Sequence, residues 1–168
     1  MENIFLIGFM GTGKSTIANG LGKMYSMNVL EMDEEIVRRE GVTIPEIFAS
    51  KGESYFRELE TKLLMEVPNH GSMIVSCGGG VVLKEENVAQ MRKLGTVVLL
   101  TATPETILER VKDDENRPLL QGNKNVTHIK SLIDQRRDKY EAAADIVIAV
   151  DHKNVQEICE ELIQALQH

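Results

Sequence analysis

Gly8-Phe9-Met10-Gly11-Thr12-Gly13-Lys14-Ser15 decides how this chain is read. The stretch places a glycine, four residues and then Gly-Lys-Ser directly after the apolar run Ile4-Phe5-Leu6-Ile7, and ahead of the helix-compatible segment Thr16 to Tyr25. Glycines let backbone N–H groups curl inward around phosphate oxygens, where a side chain would block the approach. Lys14 supplies positive charge to the β- and γ-phosphates of a nucleoside triphosphate, and the Ser15 hydroxyl is placed to ligate Mg²⁺ directly. A helix starting near Lys14 adds the favourable end of its dipole. A glycine-rich turn without a ligand is the alternative, and the strand before and helix after argue against it. Gly11, Thr12, Gly13, Lys14, Ser15 and Thr16 are therefore the expected ATP contacts.

Other nucleotide motifs fit poorly. A dinucleotide fingerprint needs a third glycine where this chain has Thr16. A GTPase signature would end in aspartate, whereas Asn123-Lys124-Asn125-Val126 does not.

Outward from the loop, short apolar runs alternate with amphipathic segments, the pattern of a parallel α/β sheet. The expected strands are Asn3–Ile7, Asn28–Met32, Met73–Cys77, Thr96–Thr101 and Asp145–Val150. Several are apolar throughout, as strands covered on both faces are. Thr43-Ile44-Pro45-Glu46 reads as a capping box with Gly52 as the stop of a short helix, and Thr103-Pro104 as an N-cap followed by proline at the first helical position. Val155, Ile158, Cys159, Leu162, Ile163 and Leu166 share one helical face. Two regions break the strand–helix rhythm. Residues 33–67 insert two or three consecutive helices, and residues 112–125 are polar and loop-like around Arg117-Pro118. Insertions of this kind carry substrate contacts and mobile covers.

At 168 residues, 42% hydrophobic and 27% charged, the chain suits one domain with one substantial core. Its 26 acidic and 19 basic side chains give a net charge of −7, which argues against nucleic acid as a partner. The two cysteines, Cys77 and Cys159, lie far apart in apolar surroundings and read as reduced, buried thiols. The four histidines lack metal-ligand spacing, and the eight methionines read as core filler and surface residues. No basic leader precedes an apolar run, and no stretch approaches the roughly 18 apolar residues that cross a bilayer. The expectation is a cytoplasmic protein with no membrane partner.

A second group of residues gathers at the carboxyl edge of the expected sheet. Asp33 follows the second strand, where a carboxylate can bind an acceptor hydroxyl and draw its proton. Glu31, two positions earlier, can reach Mg²⁺ through water. The plain alternative is an acidic helix start favoured by the dipole. Ser76-Cys77-Gly78-Gly79-Gly80 ends the third strand, and three successive glycines cost entropy unless a close backbone approach requires them. Arg136 shares an apolar stripe with Ile129, Leu132, Ile133 and Tyr140. An arginine facing inward needs an anion, although a structural salt bridge or a snorkelling side chain would also account for it. Arg57 borders the stripe of Phe56, Leu59, Leu63 and Val67, and two such arginines can grip one carboxylate by forked hydrogen bonds.

With Gly8–Ser15, Asp33, Phe56-Arg57, Gly78-Gly79-Gly80, Arg117-Pro118-Leu119-Leu120 and Arg136…Tyr140 in this order, the chain resembles the shikimate kinases from about Asn3 to Val150. The resemblance implies a phosphate-loop (P-loop) kinase fold, with a five-stranded parallel sheet sandwiched by helices, a helical substrate-binding insertion and a mobile lid. It implies transfer of the γ-phosphoryl group of ATP to the 3-hydroxyl of shikimate, with Mg²⁺, in a monomer of the aromatic amino acid pathway. By the same resemblance Asp33 binds the shikimate hydroxyls and is the base, and Arg57 and Arg136 hold its carboxylate. Gly78, Gly79 and Gly80 form the turn that meets substrate through backbone. Arg117 belongs to the lid over the phosphates, Arg110 stacks on adenine, and Ser76 approaches a metal-bound water. The chain departs from the family in having Glu31 where aspartate is usual, and His152-Lys153-Asn154 where an arginine often meets adenine. The nearest rivals are a gluconate- or nucleoside-monophosphate-type kinase, which needs no arginine pair on a carboxylate, and a nucleotide-binding module without catalysis.

Overall fold

The computed structural model describes residues 2–111 and 125–167. Five parallel strands alternate with helices: β1 (Asn3–Ile7), α1 (Lys14–Tyr25), β2 (Asn28–Glu31), α2 (Met32–Glu40), α3 (Ile44–Lys51), α4 (Glu53–Glu66) and β3 (Met73–Ser76). There follow α5 (Glu85–Leu94), β4 (Gly95–Thr101), α6 (Pro104–Val111), α7 (Val126–Ala143), β5 (Ile146–Ala149) and α8 (Val155–Leu166). The expected strands form within one residue at each end. The second is the informative case: Met32 begins α2 instead of ending β2, because Asp33, Glu34 and Glu35 fill a first helical turn whose dipole favours acidic side chains.

Strand order is β2-β3-β1-β4-β5. Strand β1 pairs Phe5 with Val75 on one side and with Val97 on the other, so it lies at the middle of the sheet. All five residues of β1 are buried. Its side chains alternate between faces, as a strand's must. Phe5 and Ile7 join Val75, Val97, Phe56 and Ile129 in one cluster, while Ile4 and Leu6 join Ile17, Leu21, Ile158 and Leu162 in the other. Helices α1 and α8 cover that second face; the insertion, α5 and α7 cover the first. From β1 the chain leaves towards β2, and from β3 it leaves towards β4 on the opposite side. Open α/β sheets bind ligands at such a switch point, in the crevice at the strands' carboxyl ends.

The insertion of residues 33–67 is three helices. Gly52, at φ 87°, separates α3 from α4. At Thr43 the hydroxyl accepts from the Glu46 amide at 3.3 Å, half of the expected box; a complete box forms at Asn154 with Glu157. Thr103 caps α6 by accepting from Thr106 N at 3.2 Å. Asn125, the last residue of the expected lid, is the N-cap of α7 and accepts from His128 N at 2.8 Å. Arg39 on α2 forks onto Glu66 on α4 at 2.7 Å for both bonds, tying together the helices that carry Asp33 and Arg57. Cys77 and Cys159 are buried free thiols. No helix among the described residues is long and apolar enough to cross a membrane.

Candidate active site

The phosphate loop closes on itself through local bonds. Gly8, Gly11 and Gly13 adopt φ of 145°, 83° and 90°, a region closed to most side chains. The Thr12 hydroxyl donates to Phe9 O at 2.9 Å, and Lys14 Nζ donates to Gly8 O at 2.8 Å and Phe9 O at 3.0 Å. The ammonium is thereby held within the curl of the loop. A cavity of about 510 Å³ opens above it. Its walls bring together Gly11 to Ser15 with Glu31, Asp33, Ser76, Gly78 and Gly79, which come from the ends of three different strands.

Burial raises the pKa of the Glu31 carboxyl, while the nearby hydroxyls of Ser15 and Ser76 work the other way. These three side chains form the oxygen donor set expected for Mg²⁺, which takes one or two protein oxygens and otherwise keeps water and phosphate. They fit the ion: Ser15 and Glu31 would hold it, with Ser76 beside them. No group of three His, Cys, Asp or Glu side chains suited to a metal occurs among the described residues.

A second group of charged side chains gathers around the glycine turn. A Cβ at Gly78 would lie 2.5 Å from Glu60 Oε2 and 3.1 Å from Asp33 Oδ1. At Gly79 it would stand 3.7 Å from Arg136 Nη1, and at Gly80 it would overlap the Arg57 guanidinium. At Gly78 and Gly80 a side chain would collide with Glu60 and Arg57, while at Gly79 a Cβ would make only ordinary contact with Arg136. Arg57 and Arg136 do not line the 510 Å³ cavity themselves, but they reach the turn whose Gly78 and Gly79 do. Arg136 is 8% exposed, and its Nη1 has no hydrogen-bond partner among the described residues. Arg57 is paired with Glu60 Oε1 at 2.8 Å and with Glu53 at 3.4 Å, so here the salt-bridge reading of an inward arginine also holds. Burial works against the Arg57 charge, but Glu60 and then Glu53 more than offset it and raise its pKa.

Glu60 was not legible as a site residue from sequence. It is 0% exposed, and its second carboxyl oxygen has no partner. Desolvation lifts its pKa from 4.5 to about 7; Arg57 pulls it down and Asp33 pushes it up. Its position, four residues after Phe56 and three before Leu63, puts it on the buried face of α4. That spacing was the available signal.

Between these two values the folded protein binds a proton that the unfolded chain has released. Stability therefore falls as pH rises through the window from 4.5 to about 7. Glu60→Gln should flatten that slope. Urea midpoints for both proteins at about pH 5, 6 and 7 test this; parallel curves would show that Glu60 does not titrate there.

Arg110 lies over the loop. Its Nη1 donates to Gly11 O at 3.3 Å, and a Cβ at Gly13 would come within 2.9 Å of it. Lys153, Asn154, Val155 and Ile158 line the same end of the cavity. Lys153 is tied to Ala149 O at 2.9 Å and to Glu161 at 2.7 Å. Arg117 and the remainder of the expected lid lie outside the described residues.

A glycine-rich phosphate loop and a carboxylate lining one crevice at a switch point are the arrangement of a small-molecule kinase. The model of the shikimate kinase family matches residues 10–167. A shikimate kinase of Persephonella marina is 41% identical over 97% of this chain and 98% of its own length. Among solved structures, the shikimate kinase of Acinetobacter baumannii in complex with shikimate superposes with a TM-score of 0.95 at 32% identity, covering 99% of this chain and 93% of that one. The shikimate kinase of Aquifex aeolicus gives 0.84 at 38% identity, covering 98% and 96%. The chain belongs to the shikimate kinase family.

Proposed function

We propose that this enzyme transfers the γ-phosphoryl group of ATP to the 3-hydroxyl of shikimate. The observation that carries the reading is the convergence of Asp33, Arg57 and Arg136 on the Gly78–Gly80 turn, at the end of the crevice that holds the phosphate loop. A compact acceptor carrying hydroxyls and one carboxylate matches these groups. Arg136 offers its Nη1 to the carboxylate, and Arg57 meets the same turn at Gly80. Asp33 orients the acceptor hydroxyl and takes its proton as the bond to phosphorus forms. Lys14 and the loop amides hold the β- and γ-phosphates in line with that hydroxyl, so the rate comes from positioning and charge neutralisation. A magnesium ion at Ser15 and Glu31, with Ser76 beside it, supplies further neutralisation of the phosphate oxygens. Arg117 is assigned to the same task from the lid, and Arg110 to the nucleotide end of the cavity. ATP and shikimate are the small-molecule partners, in the cytoplasm, with the chain acting as a single-domain monomer.

ADP release from Mg-ATP should be strong with shikimate and near background with gluconate, nucleoside monophosphates or no acceptor. Turnover confined to another acceptor would retain the phosphate site and remove the substrate assignment. Nucleotide binding without turnover on any acceptor would favour a regulatory module.

A further inference from the structure

Main-chain hydrogen bonding around the glycine turn is one-sided. The Gly78 carbonyl accepts from Val81 N at 3.2 Å, and the Gly80 carbonyl accepts from Leu83 N at 3.1 Å. The Gly79 carbonyl accepts from the Tyr140 hydroxyl at 2.5 Å, and the Val81 carbonyl accepts from the Asn87 side-chain amide at 2.9 Å. All four carbonyls from Gly78 to Val81 are therefore anchored. Among the described residues, by contrast, no main-chain carbonyl accepts from the amides of Gly78, Gly79 or Gly80.

A trans peptide points its C=O and the following N–H in opposite directions. By holding the Gly79 carbonyl, Tyr140 sets the direction of the Gly80 amide. Asn87, holding Val81, fixes where the turn ends. The same two bonds place the backbone against which Arg57 and Arg136 pack at Gly80 and Gly79. Both side chains are deeply buried, at 4% and 1% exposure, and neither lines the cavity. Asn87 also leaves its Oδ1 without a hydrogen bond, a cost that an apolar residue of the same size would avoid. Filling space does not call for an amide here, whereas gripping the Val81 carbonyl does.

We infer that Tyr140 and Asn87 are positioning residues which hold the Gly78–Gly80 amides towards the acceptor, acting on it through the turn without touching it. The inference rests on the acceptor reading above and adds to it two residues, from α7 and α5, whose effect is confined to one substrate. The phosphate loop takes no hydrogen bond from either side chain, and where Gly79 lies against Gly8 and Met10 the contact is ordinary van der Waals packing, so the nucleotide should feel both substitutions far less than the acceptor does.

Tyr140→Phe keeps the ring and removes only the hydroxyl. It should raise the KM for shikimate about tenfold while the KM for Mg-ATP stays within about twofold, and speed amide exchange at residues 78–83 by a similar factor. Asn87→Leu should reproduce the same split. Unchanged exchange at the turn in Tyr140→Phe would overturn the inference whatever the acceptor proves to be. Both KM values rising together with a lowered melting temperature would reduce the two residues to packing. Wild-type enzyme that ignores shikimate would count against the acceptor reading instead, and the exchange measurement would still decide whether these side chains hold the turn.

Discussion

Replacing Arg136 with alanine is expected to weaken shikimate binding by about 2–5 kcal/mol, roughly 30- to 5,000-fold, and to leave Mg-ATP binding unchanged. The size follows from burial. Arg136 is 8% exposed, in surroundings where a guanidinium–carboxylate pair is poorly screened by water. Its Nη1 has no hydrogen-bond partner among the described residues, so an arriving carboxylate satisfies a donor already desolvated during folding. Calorimetric titration of shikimate and of Mg-ATP into both proteins reads the two affinities separately. The melting temperature supplies the control, since Arg136 lies on the apolar side of α7 beside Tyr140, and a general loss of packing would lower it. Equal weakening for both ligands, or none for shikimate, would remove Arg136 from the carboxylate clamp. Arg57 is a less clean test, because Arg57→Ala also leaves the buried Glu60 without its ion pair.

Asp33→Asn is expected to lower turnover by about 10²–10⁴-fold, the usual worth of a positioned general base, with shikimate affinity changing far less. Asparagine keeps the shape and can still accept hydrogen bonds from acceptor hydroxyls, but it cannot take a proton. Asp33 stands in the first turn of α2, beside Gly78 and close to the buried Glu60. The substitution also removes a negative charge from a helix start, worth about 0.3–1 kcal/mol of stability, so the melting temperature should be followed alongside kcat. Turnover surviving within about tenfold, or about 1.4 kcal/mol, would leave Asp33 as a binding group only.

What could be read from the chain was local. The phosphate loop is eight consecutive residues after an apolar strand, and each carries its own reason to be there. The three helices of the insertion follow from apolar spacing interrupted at Gly52, and the cap at Thr103 from a hydroxyl three residues before the amide that donates to it. Glu60 was passed over because a glutamate amid apolar neighbours reads as the polar edge of a helix until its partners are known. Arg110, given to adenine by resemblance, is placed by the fold over the phosphate loop, with its guanidinium donating to the Gly11 carbonyl.

The sequence by itself determined the α/β sheet and the curl of the glycine-rich loop after β1, because backbone conformation and hydrophobic periodicity act over a few positions. Only the tertiary structure decided how the acceptor pocket is assembled. Tyr140 and Gly79 are separated by 61 positions, and Gly78 meets Asp33 and Glu60 from separate helices. Such contacts exist only once β1 and β3 lie side by side at the switch point. There, the ion pair with Arg57 on its own helix and the Arg136 charge arriving from α7 offset part of the cost of burying Glu60.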